Sequence, residues 1–464
     1  MYLDLERTAR IDSEFYRSEN IQLEKTLIKQ NSKRLSQLFS VTDGNHNSIS
    51  DSFTDEGIPY YRGQDVAKFF IEQASPALID ATTFALPKMK RAHLRKGDLL
   101  LSIVGSIGGV SLVSTDAAAS CSCKLAILRP HSGVSSNYLA AFLASRYGQN
   151  QIKKFVRGAV QMGLVLDDIG LLYVVENSQE FQEKVSLLVE KVKATVTESD
   201  LLYNQAQSNL LHHLGLPAQP PRSVAHEVMT NVKTLALSAV SSGRWDAEFY
   251  ETRHDALAAQ LMAGPWLRLG SACRAPINRG VQPEFVDGGT VYVVASKAVR
   301  AHGLDLRPDE TTSAEFFASA KAAKGRIEQF DVLLNGTGRG TLGRAGIHTA
   351  PTPALADNHV TILRLHPGGL NPFFLMLFLN SWPGQLQSEQ WQCGSSGQTE
   401  LYPNQMEQFI IPDLPSAQQA AIAAQVQHSF ELRTESETLL TRAKQAVEVA
   451  IEQGEAAGLA LLAS

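Results

Sequence analysis

Cysteine is scarce. Only Cys121, Cys123, Cys273 and Cys393 occur in 464 residues, none in a CxxC pair, and no histidine stands at zinc-finger spacing. That excludes a disulfide framework and gives no sign of a structural metal. No apolar run approaches the roughly 18 residues of a membrane span. The richest stretch, NPFFLMLFL at 371–379, is far too short. The opening MYLDLERTARIDSEFY carries acids and no apolar core, so it does not read as a signal peptide. A cytoplasmic location is therefore expected. A basic excess is missing too: the formal net charge is -5. Nucleic-acid binders usually show one, so any contact with DNA must come from local patches. GxSxG, HExxH and Walker A sequences are absent. What is present, 44% hydrophobic and 19% charged residues, suits a soluble chain of about two to four domains.

The chain repeats itself. RIDSEFY at 10–16 returns as RWDAEFY at 244–250, with five of seven positions identical. Further landmarks follow in the same order. Arg34-Leu35 matches Arg268-Leu269, and the strand-like IPYY at 58–61 matches VYVV at 291–294. DLLL at 98–101 followed by Gly105 matches DVLL at 331–334 followed by Gly338, and AILR at 126–129 matches TILR at 361–364. Asn137 and Asn371 each head a helix-like apolar run. Gly158 and Gly394 each precede another strand-like segment. The pattern describes a duplicated domain of about 230 residues.

Each half ends in a long helical stripe. Phe181, Val185, Leu188, Val192 and Val196 continue through Leu202, Leu210 and Leu214. Ile422, Val426, Phe430, Leu439, Ala443, Val447 and Ile451 do the same in the second half. Gly215 and Pro217 stop the first. About 35 residues would span roughly 50 Å, too long for one small domain to cover, so the two helices are expected to pair antiparallel. The expected organisation is a recognition domain over 1–178, a helix over 179–214, a linker over 215–243, a second domain over 244–414, and a helix and tail over 415–464.

The paired RxDxEFY openings, the paired DxLL…G segments, the glutamine-rich helix entries (FQE at 181–183, SAQQ at 416–419) and the closing AKQAVE at 443–448 resemble the specificity subunit of type I restriction-modification systems. The resemblance covers nearly the whole chain. It implies an α/β (α+β) fold: two tandem homologous target-recognition domains separated by a pair of long antiparallel coiled-coil helices. It further implies that each domain reads a few base pairs of an asymmetric, two-part target in the major groove of double-stranded DNA. Two methyltransferase subunits would dock on the helices, and translocase-nuclease subunits can join. The chain itself would carry no catalytic residue, and S-adenosylmethionine would belong to the partner. The first half departs from the pattern: LYVV at 172–175 lacks the IPxP ending that Ile411-Pro412 and Pro415 supply in the second.

Clustered cations neutralise phosphate and release counterions. The most basic window of the first half, FALPKMKRAHLRK at 84–96, offers Lys88, Lys90 and Arg91. Lys321 and Lys324 take the equivalent place before Asp331. Base edges call for Arg, Asn or Gln on loops. Arg62 and Gln64 follow the first-half strand, and Lys297 and Arg300 the corresponding one. Asn45, Asn47, Arg157, Gln161 and Gln398 occupy other polar loop positions. Arg339 and Arg344 ride on a glycine loop at 338–343, where the first half has GSIGG without arginines.

Several motifs mislead. GRGTLG at 338–343 fits GxGxxG, but a dinucleotide fingerprint needs a following helix and AGIHTAPTP is not helical. The glycines instead permit positive φ and close backbone approach. NPFF at 371–374 is similar to an amino-methyltransferase tetrapeptide, but it lacks the second proline and an upstream glycine loop, and reads as a helix entry with proline near its start. His212-His213 cannot face one way on a helix. Asp167-Asp168 reads as a solvated turn. The competing readings are a divergent methyltransferase built on NPFF, and a defence-system scaffold that has lost sequence reading.

Overall fold

The computed structural model describes residues 10–131, 133–158, 162–221, 244–338, 340–394 and 399–463. The chain forms two compact units, residues 1–196 with 434–464, and residues 197–433.

In the first unit a four-stranded antiparallel sheet runs in the order Phe39–Asp43, Leu125–Pro130, Leu99–Ser102, Val110–Leu112. Both faces are covered. Leu99, Leu101, Ala126 and Leu128 pack against the helix Ser136–Ala144, while Leu100, Leu125 and Ile127 join a second core with Tyr61, Val113 and Cys121. Two buried faces explain why DLLL and AILR are continuous apolar runs rather than alternating ones. A second sheet orders Phe53–Thr54, Ala77–Ile79, Ile58–Tyr61 and Ser120–Cys121, its last pair parallel. A ribbon joins Ser32–Arg34 to Tyr173–Val175.

The second unit repeats the order of the first sheet and three strands of the second, and differs in that sheet's edge strand. Its first sheet orders Asn278–Arg279, Val360–Leu363, Val332–Asn335 and Ala345–Ile347. Its second orders Thr311–Thr312, Val291–Val294, Ala354–Ala356 and Arg326–Ile327, with the middle pair parallel. The ribbon is Trp266–Arg268 with Ile410–Pro412. The duplication read from the sequence is thus a duplicated fold.

The repeated motifs prove to be mechanical. Arg10 pairs with Asp12 (2.7 and 2.8 Å) and donates to the carbonyls of Lys154 (3.4 Å) and Val156 (3.1 Å). Arg244 pairs with Asp246 (2.6 and 2.5 Å) and donates to the carbonyls of Trp391 (3.2 Å) and Gln392 (2.9 Å). Each arginine thereby caps the orphan carbonyls at the end of a helix, Arg146–Phe155 or Trp382–Trp391. The Arg10 hydrogen bond holds the Asp12 carboxyl down at about 2. Tyr16 and Tyr250 each donate to the carbonyl of their own arginine (3.0 and 2.8 Å).

Asp98 and Asp331 are buried, and each receives a two-pronged arginine. Arg129 reaches Asp98 at 2.8 and 2.6 Å, and Arg364 reaches Asp331 at 3.0 and 2.7 Å. The same carboxylates accept from the backbone N–H of Arg95 (2.9 Å) and Glu328 (2.7 Å). The arginines also donate to the carbonyls of His93 and Arg326, both at 3.0 Å. Just before each aspartate the chain turns through positive φ: Gly97 at +89° and, in the second unit, Phe330 at +69°. A phenylalanine there is strained where glycine is not.

The long helices are Gln179–His213 and Ser416–Gln453. Within the first unit Phe181, Val185, Val189, Val192 and Val196 pack with Leu439, Ala443, Ala446, Val447, Ala450 and Ile451. The stripe passes through Val189, buried, rather than Leu188, which is only partly covered. Within the second unit Tyr203, Ala206 and Leu210 pack with Ile422, Ala423 and Val426. Ser199 and Ser429 there exchange hydroxyl-to-carbonyl hydrogen bonds at 2.8 and 2.9 Å. Ser199 meets residue 429 and Asn209 meets residue 425, so the segments run antiparallel. The first helix ends at Gly215 (φ +63°), with Leu216 N–H donating to Leu211 O (2.9 Å). Most of the connection between halves, residues 222–243, lies outside the described residues.

Two structural readings of the sequence need correction. The helix Pro372–Asn380 is capped by Asn371, whose Oδ1 accepts from Phe373 (2.9 Å) and Phe374 (3.4 Å). Its counterpart Ser136–Ala144 is capped by Ser135, so Asn137 lies inside the first turn and does not head the helix. Asp168 is not solvated. It is buried, and the half-exposed Arg157 guanidinium pairs with it and neutralises it there.

Replacing Asp98 with Asn should cost about 3 kcal/mol, since it leaves the partly buried Arg129 guanidinium unneutralised, and Asp331→Asn should cost less because Arg364 keeps its ion pair with Glu328 (2.8 Å). Urea unfolding checks this. Burial and then the neighbouring Arg253 charge lower the His254 pKa, and burial lowers that of His348. The folded chain therefore resists charging both, so as pH falls below the usual 6.5 the unfolded chain takes up protons more readily than the folded one. Stability should therefore decline from pH 7.5 to 5.5, and the His254→Gln/His348→Asn variant should show a flatter profile by chemical denaturation at several pH values.

Candidate nucleic-acid interface

The basic windows fold alike. After a short capped helix, Ala81–Ala85 or Ala314–Ala318, each half makes a short helical turn of the tighter 3-10 kind, Pro87–Ala92 or Ala320–Gly325. Met89 and Ala322 point inward and anchor these turns in local cores. That leaves Lys88, Lys90 and Arg91 in one half, and Lys321 and Lys324 in the other, exposed on the outer face. Lys88 and Lys321 occupy the same position of the turn, as do Arg91 and Lys324. Arg91 is ion-paired to Asp43, which also holds His46 (2.6 Å). The other four lysines make no ion pair with a described residue.

Loops past the equivalent strands Ile58–Tyr61 and Val291–Val294 carry the next group. Gln64 and Lys297 each stand three residues beyond the strand, and both are exposed. Arg62 lies 3.6 Å from Asp65, and Lys297 pairs with the buried carboxylate of Glu310. Arg300 lies 3.7 Å from Asp305. Asn45 is not open to solvent. Its amide donates to the Asn47 carbonyl (2.9 Å) and the Tyr60 hydroxyl (3.4 Å), and its Oδ1 accepts from Asn47 N–H (3.0 Å). It therefore positions the exposed Asn47. Arg157 is held by Asp168. Gln161, Arg339 and Gln398 lie outside the described residues.

The glycine loops are held from behind. Gln149 donates to the carbonyls of Gly108 (3.0 Å) and Leu143 (2.9 Å), and Gln385 to those of Gly343 (2.7 Å) and Leu379 (2.7 Å). Gly338, Gly340 and Gly343 all have positive φ. The chain then enters the strand Ala345–Ile347, not a helix, so the phosphate-binding geometry of a dinucleotide fold is absent. Arg344 donates to Gly340 O (2.9 Å), and its pKa is lowered by burial and then by Arg300.

A cluster beside this loop was missed in the sequence. Arg279 reaches Glu400 (3.2 Å) and the Leu401 carbonyl (3.3 Å), with its guanidinium over the Tyr402 ring at 4.8 Å. The Tyr402 hydroxyl, with Arg279, holds the Glu400 carboxyl below the usual range. Thr337 and His359 meet at 3.0 Å. These residues lie far apart in the chain, and no spacing announces them. By strand register Arg279 faces Thr361 as Asp43 faces Ala126. The same place in the two halves thus carries opposite charge. Phe373 and Phe374 of NPFF are buried, so that tetrapeptide cannot present a catalytic edge.

No family model matches the chain, and no curated protein matches it. Solved structures do. A type I restriction-modification system S subunit from M. genitalium is 12% identical, over 93% of this chain and 95% of its own, with a TM-score of 0.37. The HsdS subunit from Thermoanaerobacter tengcongensis is 17% identical, over 91% and 96%, with a TM-score of 0.30. A third structure, concerned with complex assembly and conformational transition of the type I R-M system, is 16% identical over 91% and 97%, with a TM-score of 0.29. The likeness spans nearly whole chains and superposes loosely.

Lys88→Glu/Lys90→Glu should weaken binding to any duplex sequence and lower the slope of log K against log salt by about 2. Fluorescence anisotropy across a salt series measures it.

Proposed function

We propose that the chain is the non-catalytic DNA sequence-specificity subunit of a cytoplasmic type I restriction-modification complex. It reads an asymmetric bipartite target in double-stranded DNA, docks two methyltransferase subunits that supply S-adenosylmethionine chemistry, and admits translocase-nuclease subunits. Residues 1–178 and 244–414 are the two readers, 179–214 and 415–464 the helical spacer, and 215–243 the connection.

One observation carries this reading. Both halves share the same clamps at Asp98–Arg129 and Asp331–Arg364 and the same arginine-capped helix ends. The loops and strand ends around those clamps differ in chemistry: Gln64 against Lys297 on loops, Asp43 against Arg279 at strand ends, and a glycine loop without arginines against one bearing Arg344. A shared scaffold with divergent polar tips suits two readers of two different half-sites, because base edges are told apart by such side chains.

The test is selection from random duplexes by the chain together with a methyltransferase encoded beside it. The enriched sequence should be two unlike half-sites separated by a fixed gap. A single uninterrupted motif, or none, would overturn the proposal. Gln64→Ala should relax one half-site and Lys297→Ala the other, each by about 1–3 kcal/mol of discrimination. The purified chain alone should transfer no methyl group.

A further inference from the structure

The two halves share one backbone frame where the strands Leu99–Ser102 and Val332–Asn335 end. Ile103 N–H donates to Lys124 O (3.1 Å), as Gly336 N–H does to His359 O (2.9 Å). Leu164 N–H donates to Ile103 O (3.0 Å), as Leu401 N–H does to Gly336 O (2.8 Å). On this frame two side chains change together. Asp43 and the buried Ile103 in the first half are Arg279 and Gly336 in the second. Gly336 is not among the glycines of positive φ, so its conformation does not demand glycine. Close approach does. A Cβ there would lie 2.9 Å from the Leu401 carbonyl, and 3.4 and 3.5 Å from Nε and Nη2 of Arg279. The missing side chain makes room for the guanidinium.

That guanidinium is held, yet part of it is unspent. Nη2 serves both Glu400 and the Leu401 carbonyl, and the Tyr402 ring lies against the group. Nε is buried without a hydrogen-bond partner, and Nη1 donates to no described residue. The Arg279 side chain is 22% exposed and that of Glu400 38%. A nitrogen with two N–H donors thus stands beside a carboxylate with lone pairs to spare. Other loops meet at this strand end. Thr337 of the glycine loop bonds His359 (3.0 Å), and the Asn335 amide donates to the carbonyl of Ser296, next to Lys297 (2.8 Å).

Charge and pattern say what such a pair addresses. Glu400 cancels the charge of Arg279, and an exposed carboxylate repels a polyanion, so phosphate is a poor fit. Base edges carry no net charge. Across the major groove a G·C pair shows two acceptors, guanine N7 and O6, and then the cytosine N4 donor. An A·T pair alternates acceptor, donor, acceptor. Two donors followed by an acceptor match the G·C pair. We infer that Arg279 and Glu400 together read one G·C pair of the second half-site, Arg279 donating to guanine N7 and O6 and Glu400 accepting from the cytosine N4 amino group. Tyr402 and the Leu401 carbonyl position the guanidinium, and Gly336 admits it. The inference rests on the function proposed above. The first half, with Asp43 and Ile103 at these positions, has no such pair there.

The experiment selects from random duplexes with the full chain and the methyltransferase encoded beside it, comparing wild type, Arg279→Lys and Arg279→Gln. Lysine keeps the charge and can keep the ion pair with Glu400, but it lacks the planar fork. Both variants should lose preference at a single G·C position by about tenfold or more. That position should fall in the half-site that Lys297→Ala relaxes. Every other position should be unchanged, as should circular dichroism and the salt dependence of Arg279→Lys. Wild-type preference at every position in Arg279→Lys would overturn the inference. So would a uniform loss across all sequences, which marks a structural or phosphate role, or an affected position that is A·T or lies in the other half-site. Each of these leaves the proposed function standing. A wild-type chain that selects no two-part site would overturn that function, and this inference with it.

Discussion

The buried aspartate clasped by an arginine organises each half of this chain. Asp98 and Asp331 sit at the start of the strands Leu99–Ser102 and Val332–Asn335, where a lone carboxylate would be severely desolvated. The guanidinium from the adjacent strand neutralises it and at the same time satisfies a carbonyl one loop away. Three segments are thereby tied at one point: the strand, its neighbour and the turn that follows the basic window. The positions of Lys88 and Lys321 are inherited from that tie.

This division of labour explains why two halves can share an architecture while differing at their tips. The clamps, the arginine caps on helix ends and the glutamine braces at 149 and 385 act on backbone groups. They constrain where a loop begins and ends, not what it displays. Asp43 and Arg279 occupy one register with opposite charge because the ladder bonds there involve main chain alone.

The architecture was largely legible in the sequence, because repetition and apolar periodicity report on buried groups. DLLL and AILR marked doubly covered strands, and Gly215 marked a helix end. The misassignments came where burial depends on partners distant in the chain. Nothing local says that Asp168 is covered and paired, or that Asn45 turns inward to brace Asn47. The Arg279–Glu400–Tyr402 cluster is assembled by strand pairing and was invisible for the same reason. Phe330 marks the opposite failure: local preference would place glycine there, as the first half does at Gly97, and the fold imposes φ +69° on a phenylalanine.

The two serines facing each other in the apolar seam have a further consequence. Ser199 and Ser429 satisfy one another's hydroxyls and carbonyls only when set directly opposite. Sliding either helical segment by one turn, about 5.4 Å, would part the two serines and break both bonds between the helices, leaving each hydroxyl only its own helix's backbone to donate to. Leucine or valine side chains would tolerate many such offsets; a reciprocal polar pair tolerates one. The seam therefore has a detent, and any length it measures is counted from that notch.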